Sequence, residues 1–374
     1  MITAHTFSSI QAIDREAWND CFPDALEDWD YIVAVEKAGI KGFEWRYLTL
    51  FEGPTLLAVA TAFTTCYRLD TTVQGLAKRF TEQLNRVLPG LVQLQLYAIG
   101  SPLTEQCSAG TASVIPAAQR PALLARLLTL AQADAARLGI GLIAVKDVPS
   151  DDHEWATLCK TAGFQSMPGL PSATLAVPFG SVDGYLGSLG KSTRKDMRRK
   201  LRNPGPRVEW RSTIDDVLPD VMRLYAASLA RSDLQLERLP ATYFTGILQQ
   251  LGDRAVCVLY WLDEQLVAFN LVLIDEHRLI DKFFGHDLEL TRDYNLYFRS
   301  WLVNVDYCIS HNIALYECGQ AGYASKIRLG CTFQGNTLYF RHRNWLINNL
   351  LKLVKLFIRP DRHDPALAAA ISEY

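Results

Sequence analysis

Seven lysines and arginines and a single aspartate crowd into thirteen residues, KSTRKDMRRKLRN at 191–203, in a chain of 374 residues whose formal net charge is only −2. Charge at this density does one of three things. It grips a nucleic-acid backbone, it holds a small anionic substrate, or it solvates a helix face while alkyl stems cover apolar neighbours. Acid and base nearly balance and the pI is about 6.4, whereas proteins that coat nucleic acid carry a basic surplus. Any anion site must therefore be local. Leu189, Thr193, Met197 and Leu201 lie four apart and form an inner stripe, and Lys191, Lys195, Arg198 and Arg202 occupy another face of the same helix. Pro204-Gly205-Pro206 ends it. Amides at a helix start are unpaired and add to the positive field, so Lys191 and Arg194 are the anion-site candidates. The outer cations Lys195, Arg199 and Arg202 read as solvated.

Other chemistries are disfavoured. The eight cysteines (21, 66, 107, 159, 257, 308, 318 and 331) form no CxxC pair, and no histidine stands at zinc-ligand spacing from a cysteine pair. The expectation is reduced, buried thiols and no metal. The start MITAHTFSSIQAIDREAW lacks a signal peptide's basic and apolar regions, and no apolar run reaches membrane-span length. A soluble cytoplasmic protein is expected. NWLINNLLKLVKLFIRP is amphipathic, with Asn348, Lys352, Lys355 and Arg359 on one face. Packing against a sheet is the expected role, with peripheral contact to an anionic membrane as the rival.

The elements that must position these residues alternate along the chain. WRYLTLF and TLLAVATAF read as strands around the turn EGP, residues 71–88 have helical spacing, and LVQLQLYAIG is a strand. Pro121 opens a long helix closed by Gly139. IGLIAVKDV is a buried strand, DHEWATLCKTAGF a short helix with Gly163 past its end, and SATLAVPF a strand. The second half repeats this order: a helix over 292–310, strand IALYEC, short helix YASKIRLG, strand TLYFRHR. LGIGLIAVKDV…LCKTAGFQS and HNIALYECGQ…KIRLGCTFQG share one pattern, which suggests a duplicated α/β unit with a boundary near 180.

YLGSLGKSTRKDMRRKLRN, through Leu189, Lys191, Thr193, Arg194, Met197 and Arg198, resembles the start of the catalytic half of GNAT-fold acyltransferases of the FemABX type and of the acetyltransferases associated with cellulose biosynthesis. YECGQAGYASKIRLGCTF, through Gly319, Lys326 and Gly330, is similar to the end of that half. The resemblance implies an α/β (α+β) chain of two tandem GNAT-like domains, 1–180 and a catalytic 181–374, each a mixed, mostly antiparallel sheet flanked by helices. The fourth and fifth strands would splay to admit an acyl donor. Family members move an acyl group from a thioester or an aminoacyl-tRNA ester to an amine. Carried over residue by residue, Lys191, Arg194 and Arg198 would bind an anionic group. Lys326 would stabilise an oxyanion or hold a donor phosphate. Asp281, His286 and Glu317 would flank the splayed strands as acid–base candidates, and Tyr323 would protonate a leaving thiolate. Each has a plainer reading: a surface lysine, a loop histidine capping a strand, a carboxylate paired with a neighbouring base, a tyrosine packed on the sheet.

One departure matters. Where coenzyme-A-dependent members carry a glycine-rich pyrophosphate loop, this chain reads GHDLELTRDYNLY, whose Asp287, Glu289 and Asp293 would repel phosphate. The expected activity is amide formation from acyl-coenzyme A and a small-molecule amine, by direct attack in a ternary complex. The alternatives are transfer from aminoacyl-tRNA and a catalytically degenerate pair that binds a ligand or partner.

Overall fold

The computed structural model describes residues 1–68, 93–231 and 237–355, with 366 and 368. The first half runs β1 (Ile2–Phe7), α1 (Arg15–Asp20), α2 (Trp29–Lys37), β2 (Phe43–Glu52), β3 (Thr55–Arg68), β4 (Gln93–Ile99), β5 (Ala109–Thr111), α3 (Arg120–Arg137), β6 (Leu142–Pro149), α4 (His153–Thr161) and β7 (Gln165–Pro168). The second continues with β8 (Ser172–Ala176), α5 (Val182–Ser188), α6 (Lys191–Lys200), β9 (Arg207–Arg211), α7 (Leu218–Leu229), α8 (Ala241–Leu251), β10 (Ala255–Leu262), β11 (Gln265–Ile274) and β12 (Arg278–His286). It closes with α9 (Leu288–Tyr294), α10 (Leu296–Ser310), β13 (Leu315–Gly319), α11 (Tyr323–Arg328), β14 (Thr332–Gln334), β15 (Asn336–His342) and α12 (Trp345–Val354).

Two mixed, mostly antiparallel sheets result, as expected. One is ordered β1-β2-β3-β4-β6-β15-β7, with β5 on β3, and the other β9-β10-β11-β12-β13-β8-β14. The parallel pairs are β4/β6 and β12/β13, one in each sheet. The two orders superpose term by term, so the internal duplication is a duplication of sheet topology. They differ from two independent units by a reciprocal exchange. β8 follows β7 in the chain but pairs with β13 and β14, while β15 follows β14 but pairs with β6 and β7. Strands on either side of residue 180 thus serve the opposite sheet.

Local chemistry accounts for the ends of the elements. Asp152 caps α4 by accepting from the Trp155 amide at 2.9 Å, and Gly163 (φ +75°) turns the chain out of it. The single helix expected over 292–310 is instead two. Asn295 takes the left-handed conformation (φ +53°) between α9 and α10, and Asp287 starts α9 by accepting from the Glu289 and Leu290 amides. The helical spacing at 71–88 lies outside the described residues.

An apolar core joins the halves. Tyr31 and Val33 of α2 bury with Tyr243, Phe244 and Ile247 of α8, each large side chain contributing about 1.5–3 kcal/mol. Arg254 adds ion pairs to Asp28 at 2.7 Å and Asp30 at 3.0 Å, both carboxylates buried. α12 packs Ile347 and Leu351 against Phe63 and Phe340, while Trp345, Leu346 and Leu353 stand exposed. No described helix is long and apolar enough to cross a membrane. The thiols are free, with Cys66 exposed, Cys107 partly so and the other six buried.

Candidate functional site

β12 and β13 run parallel for three residue pairs, Arg278–Ile280 against Leu315–Glu317. Then they part. β12 stays with β11, while β13 bulges between Glu317 and Gly319 and follows β8. The turn after β13 holds three left-handed residues, Gly319 (φ +76°), Ala321 (φ +73°) and Gly322 (φ +67°). Such backbone is unfavourable for alanine and is held only by its surroundings.

Asp281 is the first residue of β12 beyond the last pair. Its carboxylate accepts from the Tyr316 hydroxyl at 2.8 Å and the Asn304 amide at 3.3 Å, and Asn304 also donates to Tyr316 at 3.0 Å. Burial pushes the Asp281 carboxyl up, outweighing the Tyr316 hydrogen bond and the Lys326 charge. Farther along the open part of β12, Phe284 stacks on His286 and meets the rings of Tyr260 and Tyr297 edge-on. Around it, Tyr260 Oη, Tyr297 Oη, His286 Nδ1 and Asn304 Oδ1 are buried without hydrogen-bond partners. Each such group costs about 1–3 kcal/mol, and native folds carry few of them. They gather about the open part of β12, by the slot where β12 and β13 part, and leave donors and acceptors there unused.

The opposite wall comes from the first half. Glu105, in the loop between β4 and β5, accepts from the Gln320 amide at 2.7 Å. A Cβ on Gly319 would stand 3.0 Å from Glu105 Oε1 and 3.7 Å from the Asp281 carbonyl. Burial holds the Glu105 carboxyl above the usual range despite the opposing charges of Lys282 and Lys326. Lys282 anchors this loop. Its ammonium donates to the Leu103 carbonyl at 2.7 Å, pairs with Glu27 and lies 5.2 Å from the Tyr31 ring centroid.

The residues singled out from sequence fall into distinct places. Lys326 is not a surface lysine. It is 5% exposed, and its ammonium donates to the Gly319 carbonyl at 2.7 Å and the Gln320 carbonyl at 3.4 Å, against the bulge. Lys326 and Asp281 therefore meet at the fork. Glu317 lies at its closed end, 3.5 Å from Arg278, its carboxyl pushed up by burial. His286 lies at the far end of β12, where Arg231 reaches its Nε2 at 3.3 Å, and burial lowers its pKa to about 4. Tyr323 opens α11. Its hydroxyl donates to the Pro171 carbonyl at 3.1 Å and its ring packs on Phe333.

The basic ridge α6 bridges α11 and α10. Asp196 accepts from Arg199 at 2.7 Å, Arg328 of α11 at 2.9 Å and Lys200 at 3.0 Å. The Lys200 ammonium sits 3.5 Å over the Phe298 ring of α10. Arg194 donates to the Gly187 carbonyl at 2.8 Å, while Lys191 and Arg198 are exposed. None of these three reaches the fork. Among the described residues no cluster of histidine, cysteine and carboxylate side chains is arranged to hold a metal.

Glu105, Asn304 and Tyr316 were not legible as site residues. Glu105 and Gln320 are 215 positions apart. Asn304 does leave a trace, as a polar residue among the buried positions of α10.

Residues 191–324 match the sequence profile of the acetyltransferase (GNAT) domain. That match covers just over a third of the chain. Its architecture is that of tandem GNAT proteins. The crystal structure of FemX superposes with a TM-score of 0.58 at 13% identity, covering 94% of this chain and 100% of FemX. A tandem GNAT protein from the clavulanic acid biosynthesis pathway superposes with a TM-score of 0.53 at 12% identity, over 92% of this chain and 99% of that protein. A Mycobacterium tuberculosis protein named provisionally as 8-amino-7-oxononanoate synthase 2 is 23% identical over 331 residues, 84% of this chain and 42% of that protein. The chain thus matches less than half of that relative's length.

Proposed function

We propose that this chain is an N-acyltransferase, with the β12/β13 slot receiving the acyl donor and the amine approaching from the Glu105 side. The observation that carries the reading is the set of partnerless polar atoms lining the slot, opposite a carboxylate delivered by the other half. An ammonium must lose a proton before it attacks a carbonyl. Glu105 is suited to accept it, because its raised pKa brings it nearer that of the amine. Lys326 holds the Gly319 and Gln320 carbonyls and keeps one further N–H for the oxyanion that develops. Asp281, braced by Tyr316 and Asn304, positions the fork. Coenzyme A is the proposed carrier: the thiolate leaves, and the amide forms directly without an acyl-enzyme.

A second reading rests on two observations. Asp287 occupies the Glu289 and Leu290 amides where a phosphate cradle would be needed, while α6 presents exposed cations across α10 and α11. This arrangement favours an aminoacyl-tRNA donor over a pyrophosphate held by the loop. The deciding experiment offers purified protein acetyl-coenzyme A or charged tRNA together with a panel of amines. Amine-dependent thiol release supports the first reading, and amine-dependent loss of the aminoacyl ester supports the second. Binding of either donor without transfer to any amine would make the chain a ligand-binding protein.

A further inference from the structure

Away from the fork, α4, β7, β15 and α12 line an open cavity of about 590 Å³ at the edge of the first sheet. Lys160 of α4, Lys352 of α12 and Lys355 just past it share its wall, and no carboxylate is among the described lining residues. Like charges brought together on one concave surface repel, and surfaces ordinarily intersperse acids among them. Lys160 and Lys352 each stand in the last turn of their helix, where a cation offsets the carbonyl ends. That duty explains each singly. It does not explain why both converge with Lys355 on one cavity. A second observation concerns the floor. Gln165 donates through Nε2 to the Asn348 carbonyl at 2.8 Å, which leaves its Oε1 buried and free to accept from a hydroxyl or N–H on the organic part of a ligand. Lys355 itself donates to the Ser166 carbonyl at 3.2 Å, so its ammonium is held in place.

We propose that this cavity is a binding site for a phosphate-bearing small molecule, separate from the transferase fork. A phosphate monoester carries a charge of about −1.5 to −2 at neutral pH, which comes nearer to offsetting three ammonium groups than the single charge of a carboxylate ligand does. The ligand would touch α4 of the first half and α12 at the end of the second. Its binding would clamp the C-terminal helix onto the first sheet.

The test uses the full chain and inorganic pyrophosphate, followed by calorimetry and by hydrogen exchange over residues 345–355. Pyrophosphate should bind and slow exchange in α12, and acetate at equal concentration should do neither. Lys352→Glu should weaken binding at least about tenfold, since a charge-assisted contact becomes a repulsion. Lys160→Gln, a milder change at an exposed side chain, should weaken it less. Arg198→Glu on the ridge should leave it unchanged. Absence of binding, an equal response to acetate, or binding lost in Arg198→Glu and kept in Lys352→Glu would overturn the proposal, leaving the lysines as helix-end charges.

Discussion

The two sheets contain the same fork with opposite contents. In the first, β4 and β6 pair over Leu96–Ile99 and Leu142–Val145 and then part. In the second, β12 and β13 do so after three pairs. The left-handed residue just past the fork is Asp147 (φ +52°) in one and Gly319 (φ +76°) in the other. The first residue beyond the last pair on the partner strand is Gly100 in one and Asp281 in the other. The first fork is closed by its own loop. The Cys107 amide donates to the Asp147 carbonyl, the Gly100 amide to Thr61 and the Thr61 amide to Ser108, all at 2.9 Å. Lys146 donates to the Thr104 carbonyl at 3.1 Å. The second fork keeps buried polar atoms without partners. A satisfied fork is a structural joint, whereas an unsatisfied one costs stability and leaves donors and acceptors open. The loop that seals the first fork carries Glu105 to the second. One copy of the unit has become part of the wall of the other.

The largest expected effect contrasts the carboxylates at the two forks. Glu105→Gln should lower turnover by about 10²–10⁴-fold, the usual worth of a general base, with little change in Tm. Burial raises the Glu105 pKa and a base must be ionised, so kcat/KM of the parent protein should rise with pH through a limb above the ordinary glutamate range. The variant should lose that limb. Asp147→Asn should leave turnover nearly unchanged. Similar losses in both variants would make the first fork catalytic as well and dissolve the contrast.

Lys326→Ala should reduce turnover by about 10²–10³-fold if its spare N–H meets the oxyanion. The variant should also lose about 1–3 kcal/mol of stability, because two carbonyls at the fork lose their donor. Urea unfolding and single-turnover kinetics separate the two effects. A stability loss at full turnover would assign Lys326 to the joint alone.

Smaller effects come from the glycines. Gly319→Ala and Gly100→Ala each place a Cβ on left-handed backbone (φ +76° and +114°), at a cost of about 1–2 kcal/mol. Only the first should also slow turnover, by about tenfold, because its Cβ would displace the Glu105 carboxylate. Gly100→Ala meets Lys146 Cβ at 3.4 Å and should alter stability alone. Equal kinetic effects would show that Glu105 senses the backbone of both forks.

The smallest effect is a pH dependence of stability. His286 is neutral in the fold, its pKa lowered to about 4 against 6.5 unfolded. Its contribution is complete above pH 6.5 and is lost as the pH falls from 6.5 towards 4, where the unfolded chain binds the proton first. His286→Leu should flatten the decline in Tm across that window relative to the parent protein. An unchanged decline would place the imidazole in contact with solvent.

Periodicity and turn chemistry were enough to place most elements, since an apolar stripe, a capping aspartate or a glycine past a helix end acts over a few residues. The basic ridge with Met197 on its inner face, the α/β order and the duplicated pattern were legible for that reason. The split of 292–310 at Asn295 was less so, because left-handed asparagine leaves no obligatory mark on the local sequence. What only the tertiary structure decided is pairing between distant segments. The exchange of β8 and β15, the delivery of Glu105 to Gln320 and the burial of Lys326 against two carbonyls depend on contacts whose sequence separation no local pattern encodes. Tyr323 shows the converse. Its place in the chain beside the turn is local, but the Pro171 carbonyl that its hydroxyl meets is 152 positions away. Residue types and spacing determined which chemistry the chain could assemble; the packing of one sheet unit against its copy decided which of those groups share the fork.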